Sequence, residues 1–221
     1  MGEDAWADVD AYLCQHLIPD DPVLREALAA NADAGLPSID VSPLQGKLLH
    51  LIARLMRAER ILEIGTLGGY STIWLARALG SSGRLLSLEV DPQHAKVARS
   101  NLARAGLSDR VEVRVGAALK TLPRLAAEGA GPFDLVFIDA DKESIPEYFS
   151  WALRLTRPGA AILCDNIVRH GAVIEAGSGD PRVEGVRHFM DQLATESRVS
   201  ATALQTVGVK GWDGLVLAIV Q

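Results

Sequence analysis

The chain has 221 residues, of which 48% are hydrophobic and 23% charged, and its formal net charge is −6. This composition is ordinary for a globular protein, and the length suits one domain with a single large core. The acidic balance and the lack of any basic run longer than two residues argue against a nucleic-acid-binding surface, so we expect no nucleic-acid partner.

Cysteine usage and the N-terminal residues indicate the compartment. Cys14 and Cys164 are too few for a disulfide framework, so we expect a reducing, cytoplasmic setting. The first residues are acidic and lack the basic and apolar regions of a signal peptide. No apolar run approaches the ~20 residues that a membrane-spanning helix needs, so we expect no membrane partner.

Helices are predicted for residues 1–57, before any strand. Apolar residues recur at a helical period over 4–17. A second helix is predicted over 22–33, capped by Asp21, and a third over about 43–57, capped by Ser42. We expect this segment to form a lid over a binding site, an oligomer contact, or simply a cover for the sheet.

From residue 58 onward the pattern predicts strands that alternate with helices, which is typical of a parallel doubly wound sheet. Five strands are expected at 61–64, 84–89, 111–115, 135–138 and 160–164. The helices between them are expected at 70–79, 92–105, 117–128 and about 143–155. A turn at 157–159, a Gly-rich loop at 167–180, a helix at 181–196 and two antiparallel strands at roughly 199–207 and 212–220 complete the pattern. We therefore predict one α/β domain over residues 1–221, with a helical segment (1–57) and an α/β core (58–221).

Polar side chains follow two neighbouring strands of the predicted sheet. Asp139, Asp141 and Lys142 come directly after the fourth strand, and Asp165 and Asn166 come after the fifth. Ligands of open α/β sheets bind outside the carboxyl ends of the strands. Asp139, Asp165 and Asn166 are therefore expected to present oxygen atoms to a shared point, with the amine of Lys142 beside them. An all-oxygen donor set suits a hard cation such as Mg²⁺.

A glycine-rich loop joins the first strand to its helix, with the sequence Glu63-Ile64-Gly65-Thr66-Leu67-Gly68-Gly69-Tyr70-Ser71. Its G-x-x-G-G spacing differs from the G-x-G-x-x-G of dinucleotide-binding loops, and no Gly-Lys-Ser/Thr follows to cradle a phosphate. Glu63 would repel a pyrophosphate but can bind an amine or a hydroxyl. Glu89 ends the second strand, where an acid accepts hydrogen bonds from ribose hydroxyls. Together these features indicate a nucleoside that lacks phosphates and carries a positive charge, and S-adenosylmethionine (SAM) has that character.

The sequence resembles the cation-dependent O-methyltransferases, class I SAM-dependent enzymes that include caffeoyl-CoA and catechol O-methyltransferases and small bacterial members. The resemblance rests on Glu63-Ile64-Gly65-Thr66, Gly69-Tyr70-Ser71, Glu89, Ile138-Asp139-Ala140-Asp141-Lys142 and Asp165-Asn166. It implies a Rossmann-like doubly wound sheet of seven mostly parallel strands with a reversed last strand, plus N-terminal helices. It also implies methyl transfer from SAM to a hydroxyl of a catechol or other vicinal diol, by an enzyme expected to be a homodimer.

The resemblance also implies roles for individual residues. Lys142 matches the family's proposed general base. Asp139, Asp165 and Asn166 match the ligands of a divalent cation, with Mg²⁺ expected and Mn²⁺ or Ca²⁺ as alternatives. The positions that match the SAM site are Val41, Glu63, Gly65, Thr66, Ser71, Glu89, Ala117 and Asp139.

Two other classes stay open at this point. A nicotinamide-dependent oxidoreductase would share the sheet but needs the G-x-G-x-x-G loop. A non-catalytic cofactor-binding protein would keep the acids of the SAM site but would not need the metal set, which is intact. The segment after Asn166 lacks the aromatic residue that plant members carry there, so a CoA-linked and a free acceptor both stay open. The roles of Arg169, His170 and Trp212 stay open too.

Overall fold

The structure is a computed structural model that describes residues 3–221. Its helices are α1 (Glu3–Leu17), α2 (Pro22–Asp33), α3 (Pro43–Leu55), α4 (Tyr70–Ala76), α5 (Pro92–Arg104), α6 (Ala118–Ala127), α7 (Ile145–Leu155) and α8 (Pro181–Thr195). Its strands are β1 (Arg60–Ile64), β2 (Arg84–Glu89), β3 (Val111–Val115), β4 (Phe133–Ile138), β5 (Thr156–Asp165), β6 (Val199–Gly208) and β7 (Gly211–Val220). Short 3₁₀ turns cover Lys142–Ser144 and Arg169–Ile174. Within residues 3–221, no helix combines the length and the apolar character that crossing a membrane requires.

All seven strands form one sheet in the order β3-β2-β1-β4-β5-β7-β6. Strands β1 to β5 pair in parallel, whereas β7 runs antiparallel to both of its neighbours, β5 and β6. The predicted doubly wound, seven-stranded sheet with a reversed last strand is therefore confirmed. The chain winds outward from β1 to β3 and then returns to β4, so the winding changes direction between β1 and β4. Such a switch point opens a crevice at the carboxyl ends of the strands.

The core consists of two layers, one on each face of the sheet. Helices α2 to α5 pack on one face and α6 to α8 on the other. Along β4, Leu135 and Phe137 belong to the first layer, and Val136 and Ile138 to the second. All six residues of this strand are buried, which explains its nearly continuous apolar sequence.

The N-terminal helices begin where the sequence predicts. An oxygen of Asp21 accepts a hydrogen bond from the backbone N–H of Leu24, and Ser42 Oγ accepts one from the backbone N–H of Gln45. Both side chains thus cap a helix that has proline at its first position, as expected. Helix α1 packs against α3 and the edge strand β6, whereas α2 and α3 cover the sheet.

Two elements differ from the sequence-based expectation by three residues or more, and the other bounds agree within two residues. The predicted turn at 157–159 is part of β5, which starts at Thr156; Gly159 has φ +87° there, and the pairing with β4 shifts register between Phe133 and Leu135. A β-bulge therefore absorbs the residues that resemble a turn. Helix α4 ends at Ala76 instead of at residue 79. The backbone N–H groups of Ala78 and Leu79 donate to carbonyls three residues earlier, which is the tighter 3₁₀ pattern and ends the α-helix.

The Asp134 side chain connects the beginnings of β1, β4 and β5 through hydrogen bonds. Its Oδ2 accepts hydrogen bonds from the backbone N–H groups of Glu59 (2.8 Å) and Arg60 (2.9 Å). Its Oδ1 accepts two from the guanidinium of Arg157, at 3.1 and 2.6 Å. Burial raises the pKa of Asp134, but these hydrogen bonds outweigh burial and hold the pKa below its ordinary value.

We expect Asp134→Ala to lower the free energy of unfolding at pH 7 by about 2 kcal/mol, because charged hydrogen bonds are lost and two amides stay unpaired. The folded-state pKa is depressed, so this stability is present at neutral pH and is lost as the pH falls through the folded pKa. Urea denaturation from pH 7 down to pH 3 measures the difference, which should shrink below about pH 4. Asp109→Ala, at an exposed position, is the matched control and should change little. A difference between Asp134→Ala and wild type that is independent of pH would contradict this assignment.

Candidate active site

A cavity of about 880 Å³ opens at the carboxyl ends of the strands, at the switch point between β1 and β4. The predicted SAM-site residues that line it are Val41, Gly65, Thr66, Ser71, Glu89, Ala117 and Asp139. Lys142 and Asn166 line it as well. Glu63 and Asp165 are not among the lining residues; both are buried directly beside it.

The glycine spacing of the loop after β1 has a steric cause. Gly65 has φ +98°, and a Cβ there would overlap the backbone carbonyl of Asp139. A Cβ on Gly68 would overlap the side chain of Asn31, which lies on α2. The G-x-x-G-G pattern therefore reflects two close approaches, one to the end of β4 and one to an N-terminal helix.

Glu89 ties this loop to the end of β2. Its Oε2 accepts hydrogen bonds from the backbone N–H groups of Thr66 (3.2 Å) and Leu67 (2.7 Å). Its Oε1 accepts one from the backbone N–H of Asp91 (2.9 Å). Oε2 thus uses both of its lone pairs, whereas Oε1 can accept one further hydrogen bond. Glu89 therefore presents a fixed acceptor to the cavity, as its position at the strand end predicts.

Glu63 is fully buried behind the loop. Its carboxyl group accepts hydrogen bonds from Ser71 Oγ (2.6 Å), Thr72 Oγ1 (2.5 Å) and Ser87 Oγ (2.7 Å). Burial raises the pKa of Glu63 to about 7, although the three hydroxyls oppose the shift. Ser71 lines the cavity, so its hydrogen bond to Glu63 fixes the orientation of a hydroxyl at the cavity wall. The expected contact of Glu63 itself with the cofactor stays a prediction.

The acids predicted to hold a metal lie at neighbouring strand ends. Ile138 of β4 pairs in register with Cys164 of β5, so the residues that follow them, Asp139 and Asp165, are adjacent. Lys142 Nζ donates a hydrogen bond to Asp139 Oδ1 at 2.7 Å, and both groups are largely shielded from solvent.

The Asp165 carboxylate is held by two donors. Its Oδ1 accepts a hydrogen bond from the backbone N–H of Asn166 (2.8 Å), and its Oδ2 accepts one from Gln45 Nε2 (2.7 Å). Asn166 itself has φ +60°, a left-handed conformation that asparagine tolerates better than most residues. The polar ends of β4 and β5 are thus fixed on both sides, by Lys142 and by helix α3.

Electrostatic strain accompanies this packing of acids. Burial raises the pKa of Asp165, and repulsion from Asp139 raises it further. Burial lowers the pKa of Lys142, but attraction to Asp139 and Asp165 outweighs burial, so the pKa is raised above its ordinary value. In this arrangement Lys142 is an ammonium group that neutralises part of the acidic pair.

The structure adds residues that sequence reasoning missed. Asp40 lines the cavity, burial raises its pKa, and its Oδ1 accepts a hydrogen bond from Asn31 Nδ2 at 2.9 Å. Asn101 Nδ2 donates to Asn31 Oδ1 (3.0 Å) and to the carbonyl of Gly68 (2.8 Å). These contacts link α2 and α5 to the glycine loop. Their partners lie far apart in the chain, and the residues form no local motif, so no sequence signal identifies them.

The loop after Asn166 is shaped by β7. Asp213 Oδ1 accepts hydrogen bonds from the backbone N–H groups of Val168 (2.9 Å), Arg169 (3.2 Å) and Gly214 (2.9 Å). The indole of Trp212 packs against Gly171, and its Nε1 donates to Gln205 Oε1 (2.9 Å). Trp212 therefore supports the loop from the sheet, and His170 lies exposed on that loop with φ +55°.

Comparison with known proteins agrees with this geometry. The O-methyltransferase family model matches residues 15–219. The chain is 52% identical to the catechol O-methyltransferase of Niastella koreensis over 221 residues, which is 100% of each chain. An O-methyltransferase from Bacillus cereus in complex with SAH superposes with a TM-score of 0.98 at 56% identity, covering 100% of both chains. The O-methyltransferase TomG of Streptomyces achromogenes, involved in tomaymycin synthesis and solved in complex with SAM, has a TM-score of 0.97 at 52% identity and covers 100% of this chain and 99% of its own.

The family match spans nearly the whole chain, and relatives of known structure contain SAM or SAH. Neither the oxidoreductase nor the non-catalytic alternative has comparable support. The chain therefore belongs to the O-methyltransferase family and is a SAM-dependent O-methyltransferase.

Proposed function

We propose that the enzyme methylates one hydroxyl of a catechol or another small vicinal diol, and that it depends on a divalent cation held by Asp139, Asp165 and Asn166. The observation that carries the proposal is the placement of two carboxylates and an amide at adjacent strand ends, beside the glycine-loop cavity. The curated relative from Niastella koreensis is named a catechol O-methyltransferase, which supports this acceptor class.

The donor set fits a hard cation. Among the described side chains (residues 5–221) no three histidine, cysteine, aspartate or glutamate residues group to hold a metal, and the amide oxygen of Asn166 would be the third ligand. Two carboxylates and an amide supply only oxygen donors and leave octahedral positions open for the acceptor and water. Asp139 and Asp165 repel each other, and a cation shared between them would remove that penalty. When bound, a cation there would supply positive charge that lowers the pKa of the hydroxyl to be methylated.

The cavity suits SAM in size and in its acceptors. Its volume of about 880 Å³ lies within the usual range for ligand and cofactor pockets. Glu89, fixed by three backbone amides, would accept hydrogen bonds from the ribose hydroxyls. Ser71 and Val41 would contact the methionine end, and Ala117 would lie against the adenine. These residues would hold the methyl donor beside the strand-end acids, where the acceptor oxygen could attack the methyl carbon.

Lys142 is the residue that we propose takes the proton. The hydroxyl proton would pass to Nζ as the oxygen attacks the methyl group. This role requires a neutral amine, whereas contact with Asp139 keeps the pKa of Lys142 raised. Lys142 can therefore act as a base only when another positive charge compensates Asp139, so the proposed base and the proposed metal set depend on each other.

The expected homodimer and the expected cytoplasmic location stay predictions. Apolar side chains of α1 and β6 support the dimer: Val9, Tyr12, Leu204 and Val207 are more than half exposed. Strand β6 is also an edge strand of 10 residues, a feature that proteins usually cover.

The metal set predicts the behaviour of Asp165→Ala. Wild type should transfer methyl groups from SAM to a simple catechol in the presence of Mg²⁺, and a chelator should abolish this turnover. Asp165→Ala should lower kcat/KM by more than about 100-fold, because losing a residue that merely orients a ligand already costs roughly 10- to 100-fold. Calorimetric titration with SAH should give nearly the wild-type affinity. Asp141→Asn is the matched control, since it removes a charge from the same cavity, and it should keep chelator-sensitive turnover. Full activity of Asp165→Ala in the presence of chelator would contradict the proposal that the reaction depends on a divalent cation.

Lys142 is tested by a pair of variants. Lys142→Ala should lower kcat by about 10² to 10⁴, the usual contribution of a general base, with little change in SAH affinity. Lys142→Arg keeps the positive charge beside Asp139 but does not release a proton at any working pH, so it should be nearly as inactive. Steady-state kinetics with saturating SAM and Mg²⁺ separates the two roles. If Lys142→Arg kept the wild-type kcat, Lys142 would act through its charge and not as a base.

A further inference from the structure

Arg169 lines the active-site cavity but has no part in the proposed reaction. It lies three residues after Asn166, at the end of the cavity where the metal set is found. Its side chain is half-buried, and its Nε is fully shielded from solvent without a hydrogen-bond partner among residues 3–221. Among the described residues no group accepts a hydrogen bond from this guanidinium, so its donors are not used within the protein.

Arg169 also differs from the other positively charged residues of the cavity wall, because it lacks an acidic partner. Three lysine or arginine side chains line the cavity: Lys142, Arg169 and Arg182. Lys142 pairs with Asp139 at 2.7 Å. Arg182 pairs with Asp180 through two nitrogens, at 3.0 and 2.7 Å. Within the described chain, Arg169 has no carboxylate within 4.0 Å, and it acts on Asp180 only at longer range. Among the side chains that the structure describes, residues 5–221, Arg169 is thus the lining guanidinium without an acidic partner.

The backbone holds Arg169 in an uncommon conformation. Its φ is +56°, in the left-handed region that side chains other than glycine rarely adopt. The Asp213 carboxylate accepts the N–H groups of Val168 and Arg169, and Trp212 packs against Gly171 on the same loop. Conformations of this kind persist where the surroundings fix them, and they cluster at ligand sites. The backbone from which the Arg169 side chain extends is therefore held in place by β7.

We propose that Arg169 binds a carboxylate on the acceptor, so that the preferred substrates are aromatic acids with two adjacent hydroxyls rather than neutral catechols. The proposal rests on the proposed function and narrows its substrate class. The planar guanidinium is always charged and matches a carboxylate through two parallel hydrogen bonds. A single carboxylate on the acceptor would neutralise the single unpaired charge of the Arg169 guanidinium. The same cavity end would then hold the diol at the strand-end acids and the carboxylate at the loop.

The test compares an acid with its uncharged counterpart. 3,4-Dihydroxybenzoate and its methyl ester are titrated calorimetrically into the SAH complex with Mg²⁺ and are also assayed for turnover with SAM. Wild type should favour the acid, and Arg169→Gln should weaken the acid-to-ester preference by about 10- to 100-fold, mainly through KM of the acid. The intrinsic reactivity difference between acid and ester cancels when the ratio is compared between the two proteins.

Two further variants sharpen the comparison. Arg169→Lys keeps the charge and should recover part of the preference for the acid. Arg182→Gln removes a cavity arginine that already has an acidic partner, and it should leave the acid-to-ester ratio at the wild-type value.

The outcomes separate this proposal from the proposed function. Methylation of both compounds with the same ratio in wild type and Arg169→Gln overturns the carboxylate subsite and leaves the reaction standing. Arg169-dependent binding of the acid without turnover of either compound supports the subsite and contradicts the acceptor class. Loss of SAH affinity in Arg169→Gln, equal to the loss for the acid, assigns Arg169 to the cofactor carboxylate and overturns the proposal. Failure of the acid to bind wild type overturns it as well.

Discussion

The active site depends on one close contact, in which the loop after β1 lies against the end of β4. Gly65 has no side chain, so its backbone can approach the carbonyl of Asp139. This approach places the glycine loop, which Glu89 holds by its amides, next to the acids that follow β4 and β5. A methyl donor at the loop and an acceptor at the acids would then meet in one cavity. A larger residue at position 65 would push these two halves of the site apart.

Buried charge is the second constraint, and the N-terminal helices help to satisfy it. Asp165, Glu63 and Lys142 all lie nearly out of contact with water. Each has polar partners: hydroxyls for Glu63, Asp139 for Lys142, and the amide of Gln45 for Asp165. Gln45 belongs to α3, so a helix that precedes the sheet completes the environment of a proposed metal ligand. Asn31 on α2 supports the glycine loop in a similar way, because it accepts a hydrogen bond from Asn101, which also donates to the carbonyl of Gly68. The N-terminal segment therefore contributes to the site in addition to covering the sheet.

Sequence reasoning predicted the features that depend on local chemistry. The sheet could be predicted from strand periodicity and helix caps. The acids at the strand ends placed Asp139, Asp165 and Lys142 at one edge of that sheet. It missed contacts that depend on the folded packing. The bulge at Gly159 resembles a turn in sequence, and the three hydroxyls that surround Glu63 come from α4 and β2. Asn31, Gln45 and Asp213 belong to no motif, because their partners lie 9 to 120 residues away along the chain.

The central claim is that a divalent cation binds at the strand ends beside the cofactor cavity. Crystals grown with SAH and Mn²⁺, measured at a wavelength where manganese scatters anomalously, test it directly. We expect an anomalous peak roughly 2 Å from oxygens of Asp139, Asp165 and Asn166, the usual distance for a small hard cation. The Lys142 Nζ should then no longer be the sole partner of the Asp139 carboxylate. If SAH bound along the glycine loop without a peak at these residues, and the contact between Lys142 and Asp139 were unchanged, no divalent cation would bind at the strand ends.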